Sequence, residues 1–155
     1  MRRFRAIESL VILSVCIIIS ACSDSDSPTD PPTVKVPVGE LSWKFETGAD
    51  VGSSPTVSNG IVYVGSDDHY LYAIDVQSGQ EHWKFETGDW IRSSPMVSNG
   101  IVYVGSHDSY LYAIDAQSGQ ERWKFKTGDY VYSSPTVSDG IVYVGSFDGF
   151  LYALK

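Results

Sequence analysis

Short runs in which apolar and polar positions alternate fill most of the chain, and the whole pattern returns every forty residues. From Trp43 the unit reads WKFETGADVGSSPTVSNGIVYVGSDDHYLYAIDVQSGQEH. From Trp83 it returns with nine differences, and from Trp123 it runs a third time to Lys155. Self-similarity at a period of roughly 20–50 residues signals a stacked or circular repeat architecture. Within one unit the alternation predicts four strands. Ser54–Ser58 is the first. Asn59-Gly60 follows it, and Asn99-Gly100 and Asp139-Gly140 hold the same place; such pairs make tight hairpins because both residues accept positive φ. Ile61–Val64 is the second strand, with Ile61 and Tyr63 on one face and Val62 and Val64 on the other. Both faces are apolar, so this strand should be covered on both sides.

A turn at Asp67-Asp68-His69, matched by His107-Asp108-Ser109 and Phe147-Asp148-Gly149, leads to a third strand, Tyr70–Ile74. Asp75–Gly79 makes another turn, where Asp can accept from nearby N–H groups and Gly supplies φ > 0. The fourth strand, Trp83–Glu86, alternates apolar with charged residues and should have one wet side. Four antiparallel strands per forty residues describe a propeller blade. The expected fold is all-β, with about three four-stranded antiparallel blades over 43–82, 83–122 and 123–155.

At this level the chain resembles pyrroloquinoline-quinone (PQQ)-type propeller repeats. Ala73, Gly79 and Trp83 match that family's tryptophan-docking motif, as do Ala113, Gly119 and Trp123. Trp43 and Ala153 hold the corresponding places in the flanking units. Ser-Ser-Pro, Val-Tyr-Val-Gly-Ser and Leu-Tyr-Ala-Ile-Asp match the rest of the repeat. The resemblance covers roughly Trp43 to Leu154 and implies that each Trp docks between blades, against the Ala and Gly of its neighbour. WD-type repeats have a similar period, but here Lys follows each Trp and the Gly-His pair is missing.

The repeats are out of phase with the ends of the chain. A fourth-type strand comes first, Trp43–Glu46, and a third-type strand comes last, Phe150–Leu154, so the first segment could complete the last blade. Three blades fall short of the about four to eight typical of a ring, and open blade edges invite another chain. Two expectations follow: a partial propeller from a longer gene, or a head-to-tail homo-oligomer, most simply two chains with six blades.

Ahead of the repeats, Met1–Arg5 is basic, Leu10–Ile19 is apolar apart from Ser14, and Ser20-Ala21-Cys22 is small. This is the pattern of a signal peptide, residues 1–21; the apolar run is short of the roughly 20 residues that span a bilayer. Ile19-Ser20-Ala21-Cys22 resembles the bacterial lipobox, which implies cleavage before Cys22 and its acylation. A diacylglycerol plus an amide-linked acyl chain on Cys22 would anchor the protein stably, since more than one chain is needed, and Ser23 is compatible with outer-membrane sorting. The segment after Cys22, to Pro37, is rich in Ser, Asp, Pro and Thr and reads as an extended tether. The repeats, with their lead-in, occupy 38–155.

Composition narrows the partners. The whole chain carries a net charge of −8, and removing residues 1–22, with Arg2, Arg3, Arg5 and Glu8, takes it to −10. That argues against nucleic acid and anionic lipid head groups. Both cysteines, Cys16 and Cys22, precede the repeats, so the folded part has neither disulfide nor thiolate metal ligand.

The PQQ resemblance raises a redox reading, in which a quinone and a calcium held by Glu, Asn and Asp would sit in the central funnel. No adjacent cysteines and no singular acidic cluster support it, and a cofactor site must be singular whereas most polar groups here recur in every repeat. No cofactor, metal site or catalytic residue is expected; PQQ and calcium belong to the alternative, a fragment of a PQQ-dependent dehydrogenase. His69, His82 and His107 occupy different repeat positions and predict no metal ring. Asp68, Asp108 and Asp148 recur at one turn, as capping residues would.

Departures between copies are where function can reside, because scaffold demands are the same in every blade. They cluster at Ala49–Gly52 against Asp89–Arg92 and Asp129–Tyr132, and at the turn with Asp67, His69, His107, Ser109 and Phe147. Trp90, Arg92, Tyr130 and Tyr132 are of the types enriched at interaction hot spots. The expectation is a non-catalytic, exported, lipid-anchored scaffold of the bacterial envelope, in the outer membrane and periplasm or at the cell surface. It would engage envelope proteins through blade loops and edges, as does a similar class that includes lipoprotein scaffolds of outer-membrane protein assembly. A sugar-binding surface at Trp90 and Tyr130 is the third expectation.

Overall fold

A computed structural model of the protein describes residues 39–155. The expected signal peptide, the acylation site at Cys22 and the tether lie outside the described residues. Glu40–Lys155 forms one compact unit, all β, and no helix among the described residues is long and apolar enough to cross a membrane.

The first blade contains β1 (Thr56–Ser58), β2 (Ile61–Gly65), β3 (Tyr70–Asp75) and β4 (Glu81–Glu86), paired in that order. The second contains β5 (Met96–Ser98), β6 (Ile101–Gly105), β7 (Tyr110–Asp115) and β8 (Glu121–Lys126) in the same order. The third has three strands, β9 (Thr136–Ser138), β10 (Ile141–Gly145) and β11 (Leu151–Leu154), with β10 in the middle. All pairings are antiparallel. These are the blades of a partial propeller. The hairpin signal is realised as expected: Asn59, Asn99 and Asp139 have φ of 49°, 51° and 50°, each followed by a left-handed glycine.

The fourth strands start at Glu81 and Glu121, two residues earlier than the apolar alternation marks. Each gains that length across a register shift, between Ala73 and Ile74 in the first blade and between Ala113 and Ile114 in the second. One extra residue on the outer strand lets the ladder continue past the bulge. Trp43–Glu46, expected as a fourth-type strand, is not in any ladder among the described residues. Trp43 and Phe45 instead lie over Val64, Tyr72 and Ile74 of the first blade, and Phe45 meets Tyr72 edge to face at 5.2 Å.

The doubly apolar strands have the consequence the alternation implies. One face of the first blade, Tyr63, Leu71 and Ala73, packs on Ile91, Val102, Val104, Tyr112 and Ile114 of the second. The opposite face of that second blade, Tyr103, Leu111 and Ala113, packs on Val131, Val142 and Val144 of the third. The segments that lead into the first strands are stitched together: Ser54 N donates to Ser94 Oγ at 2.9 Å, Ser94 N to Ser134 Oγ at 3.1 Å, and Ser93 Oγ to Ser133 O at 2.9 Å. Thr56 Oγ1 donates to Pro95 O in the same seam. The repeated serines join each blade to the next.

Candidate functional site

Three repeated devices hold the loops in place. The first is the tryptophan. The Trp43 indole lies flat over Gly79, where an added Cβ would come within 2.7 Å of the ring, and its Nε1–H donates to Val76 O at 3.0 Å. Trp83 does the same over Gly119, donating to Ala116 O at 3.1 Å. Each ring thus reaches a glycine in the following turn, while Ala73 and Ala113 sit fully buried, opposite Trp83 and Trp123 in the ladders.

The second device is the recurring aspartate. Asp68 Oδ2 accepts from Gly48 N at 2.6 Å and from the Tyr72 hydroxyl at 2.7 Å, while Oδ1 accepts from Tyr70 N at 3.1 Å. Asp108 and Asp148 repeat the arrangement with Gly88, Tyr112 and Tyr110, and with Gly128, Tyr152 and Phe150. These carboxylates are satisfied by their own blade and do not fit a calcium ion, and no three His, Cys, Asp or Glu side chains among the described residues are grouped to hold a metal.

Burial pushes the Asp68 and Asp148 carboxyls up, but the hydroxyl and N–H donors outweigh it and hold both below the usual range. The same contacts push the Tyr72 and Tyr152 phenols up: burial first at Tyr72, the bond to Asp148 first at Tyr152. A carboxyl whose folded pKa lies below its unfolded value contributes stability that is complete above about pH 4 and is lost as pH falls through the folded pKa. The urea midpoint should therefore be flat from pH 7 to 5 and fall below about pH 4. Asp68→Asn should make that fall shallower; an equally steep fall would mean that other carboxyls drive acid unfolding.

The third device brings the divergent loops together. Trp90 O accepts from His107 N at 2.9 Å, and Tyr130 O accepts from Phe147 N at 2.9 Å. Each turn between the second and third strands is thereby pinned to the loop that enters its blade. Members of both sequence clusters of departures thereby meet on one surface. His107 stacks on Tyr130 (centroids 5.0 Å apart, 10° between planes) and meets Trp90 at 5.8 Å and Tyr132 at 5.7 Å. Tyr132 in turn stacks on Phe147 at 6.0 Å. The Arg92 guanidinium lies over Trp90 at 4.5 Å and grips Asp67, with Nη2 to Oδ2 at 2.7 Å. That bond holds the Asp67 carboxyl below its usual range and raises Arg92.

Trp90, Tyr130 and Tyr132 are each more than 40 % exposed and Phe147 is 65 % exposed. His107 Nε2 is the one buried side-chain nitrogen or oxygen among the described residues without a hydrogen-bond partner. An orphaned buried polar atom costs about 1–3 kcal/mol, and the neighbours of this imidazole are the rings of Tyr130, Trp90 and Tyr132. Trp90, Arg92, Tyr130 and Tyr132, singled out from the sequence, thus lie on one face. His107, Phe147 and Asp67 complete it. They depart from the repeat too, but nothing local says that position 107 meets positions 90, 130 and 132. His69 lies apart, with Nε2 3.9 Å from Asp89. His82 lines a separate cleft of about 940 Å³ with Tyr63, Asp115 and Arg122.

Residues 78–155 match the family described as outer membrane protein assembly factor BamB. Among solved structures, BamB from Moraxella catarrhalis superposes with a TM-score of 0.66 at 23% identity, over 73% of this chain and 36% of that one. A quinohemoprotein alcohol dehydrogenase of Pseudomonas putida HK5 gives a TM-score of 0.63 at 27% identity, over 72% of this chain and 20% of that one. The quinohemoprotein alcohol dehydrogenase of Comamonas testosteroni gives 0.60 at 26% identity, over 68% and 19%. The chain thus spans about a third or less of these structures. Comparison with curated proteins finds no match.

Proposed function

Because the chain belongs to the family described as outer membrane protein assembly factor BamB, we propose that it is a non-catalytic scaffold of the bacterial envelope. It is exported, held to a membrane through an acylated Cys22, and binds partner proteins through the face built by Trp90, Tyr130, Tyr132 and Phe147. Copies of it join head to tail. The observation that carries the reading is the convergence of the divergent loops. Where the scaffold repeats, the residues pack or cap; where it departs, aromatic rings gather in the open around His107. Exposed aromatic and arginine side chains of this kind dominate the energy of protein interfaces. Clustered ring faces rimmed by an ion pair suit a protein surface.

A photo-crosslinking amino acid at position 130, in cells that make the full chain, should yield a discrete protein adduct that the same probe at position 60 does not. Trp90→Ala with Tyr132→Ala should lower the adduct yield at least tenfold, since two hot-spot truncations cost about 2 kcal/mol or more. Equal yield with and without the two rings would sink the reading.

The fold shared with the two quinohemoprotein alcohol dehydrogenases supports a second reading, a piece of a PQQ-dependent oxidoreductase. Adding PQQ and calcium to the purified protein separates the two. Absorbance unchanged beyond that of free quinone is expected, and a bound-quinone spectrum would move the protein to the oxidoreductases.

A further inference from the structure

We propose that the open aromatic face binds a basic segment of its partner protein. Lys or Arg side chains of that segment would each meet a carboxylate and a ring together, at Asp89 with Trp90 and at Asp129 with Tyr130. The inference rests on the protein-binding reading of this face and adds the chemistry of what binds there.

Charge gives the sign of the partner. The loops at this end of the blades, 47–52, 67–69, 87–92, 107–109, 127–132 and 147–149, hold seven aspartates, one arginine and no lysine. Lys84, Lys124 and Lys126 lie instead on the outer strands β4 and β8. Arg92, the one loop arginine, is already matched: its Nε and Nη2 reach the two oxygens of Asp67 at 3.0 and 2.7 Å. Such a two-point pair has no net charge to offer a partner. Asp68, Asp108 and Asp148 accept from N–H and O–H groups that carry no charge, so they are bonded without being neutralised. The face is therefore acidic, and it repels the phosphates of nucleic acid and of anionic lipid.

Local geometry gives the points of contact. Where the first unit has Ala49-Asp50, the later units have Asp89-Trp90 and Asp129-Tyr130, so each departing loop sets a carboxylate beside an open ring. Asp89 Oδ1 accepts from Trp90 N and Asp129 Oδ1 from Tyr130 N, both at 2.7 Å. That bond fixes the carboxylate at the base of the ring. Oδ2 of each makes no hydrogen bond among the described residues, and His69 approaches Asp89 only on the Oδ1 side, at 3.9 Å. An unbonded carboxylate oxygen next to an exposed ring suits a Lys or Arg, which can pair with the one and lie over the other.

The fold already uses its rings in this way. Lys84 Nζ lies 4.7 Å from the centre of the Tyr70 ring and Lys124 Nζ 5.4 Å from that of Tyr110. These repeated tyrosines are covered by lysines of their own blades. Tyr130 has no such cation among the described residues and is 45 % exposed. Trp90 carries Arg92 and still leaves 41 % of its surface open. His107 stands between the two rings, 5.8 Å from Trp90 and 5.0 Å from Tyr130, a span that roughly three residues of extended chain cover. A segment with two basic residues at that spacing reaches both pairings at once.

The test places an aromatic photo-crosslinking amino acid, which keeps a ring, at position 130 in cells that make the full chain. It reads the yield of the protein adduct and the sequence of the attached segment, released by a protease that cuts after Glu. The expected segment carries two or more Lys or Arg roughly two to four residues apart. Asp89→Asn with Asp129→Asn keeps both Oδ1 acceptors but removes both charges, and should lower the yield about tenfold. Asp139→Asn with Glu40→Gln makes the same change in net charge at exposed positions outside these loops and should leave the yield as it was. An attached segment without Lys or Arg, or an undiminished yield from the first pair of substitutions, overturns the basic segment. If Trp90→Ala with Tyr132→Ala still removes that adduct, the protein-binding reading stands without it. An equal fall from both charge-removing pairs overturns the assignment to Asp89 and Asp129. No adduct, or one indifferent to the rings, overturns the reading and the inference together.

Discussion

Valine in place of Gly105 should lower stability by about 3 kcal/mol or more, the upper range for overpacking a closed core. Even a Cβ at this position would lie 2.3 Å from Val131 Cγ1 and 2.5 Å from Val131 O. Relief requires the third blade to move away from the second, because Val131 is itself fully buried. The backbone at Gly105 is not left-handed, so the cost is steric and not conformational. A drop in the urea midpoint at constant slope is the readout. Gly145→Ala is the control. Its added Cβ meets only Ser133, with Oγ at 3.3 Å and Cβ at 3.6 Å, and should shift stability by about 0.5 kcal/mol or less. Equal losses at the two glycines would mean that blade-to-blade contact is not what Gly105 protects.

Trp83→Ala should be of similar size, about 3–5 kcal/mol for a large aromatic removed from a packed site. The indole covers Gly119, donates to Ala116 O at 3.1 Å and lies 5.8 Å from the Tyr63 ring. Its loss opens the seam between the first and second blades and leaves Ala116 O without that donor. Trp83→Phe keeps a ring over Gly119 and removes only the N–H, so it should cost about 1 kcal/mol, the usual worth of one such bond. Thermal unfolding followed by tyrosine and tryptophan fluorescence would rank the two. If Phe costs as much as Ala, the bond to Ala116 outweighs the stacking and the account of the dock is wrong.

The blades were legible in the chain because each is a local object. Asn59-Gly60, the alternation of Ile61–Val64 and the Asp75–Gly79 turn act over a few residues, and three copies of each leave little room for another fold. The double apolar faces of the second strands even announce that blades stack. The four prominent departures, Trp90, Arg92, Tyr130 and Tyr132, could be marked in the same way, by comparing one copy with the next.

What the local pattern does not carry is which distant backbones meet. His107 joins Trp90, Tyr130 and Tyr132 through a turn pinned to a loop 17 residues away, and the pattern holds no distance across that gap. The state of Trp43–Glu46 was decided the same way. Its residues are those of a fourth strand, but a strand is defined by its hydrogen-bonding neighbour. Among the described residues it pairs with no strand, while its apolar side covers Val64, Tyr72 and Ile74, as Trp83 and Phe85 cover the second blade from within a ladder. The sequence by itself determined the blade, its turns and its period, because short-range backbone preference and alternation suffice for them. Only the tertiary structure decided which departures form one face and which segments pair into ladders, because those depend on contacts between residues far apart in the chain.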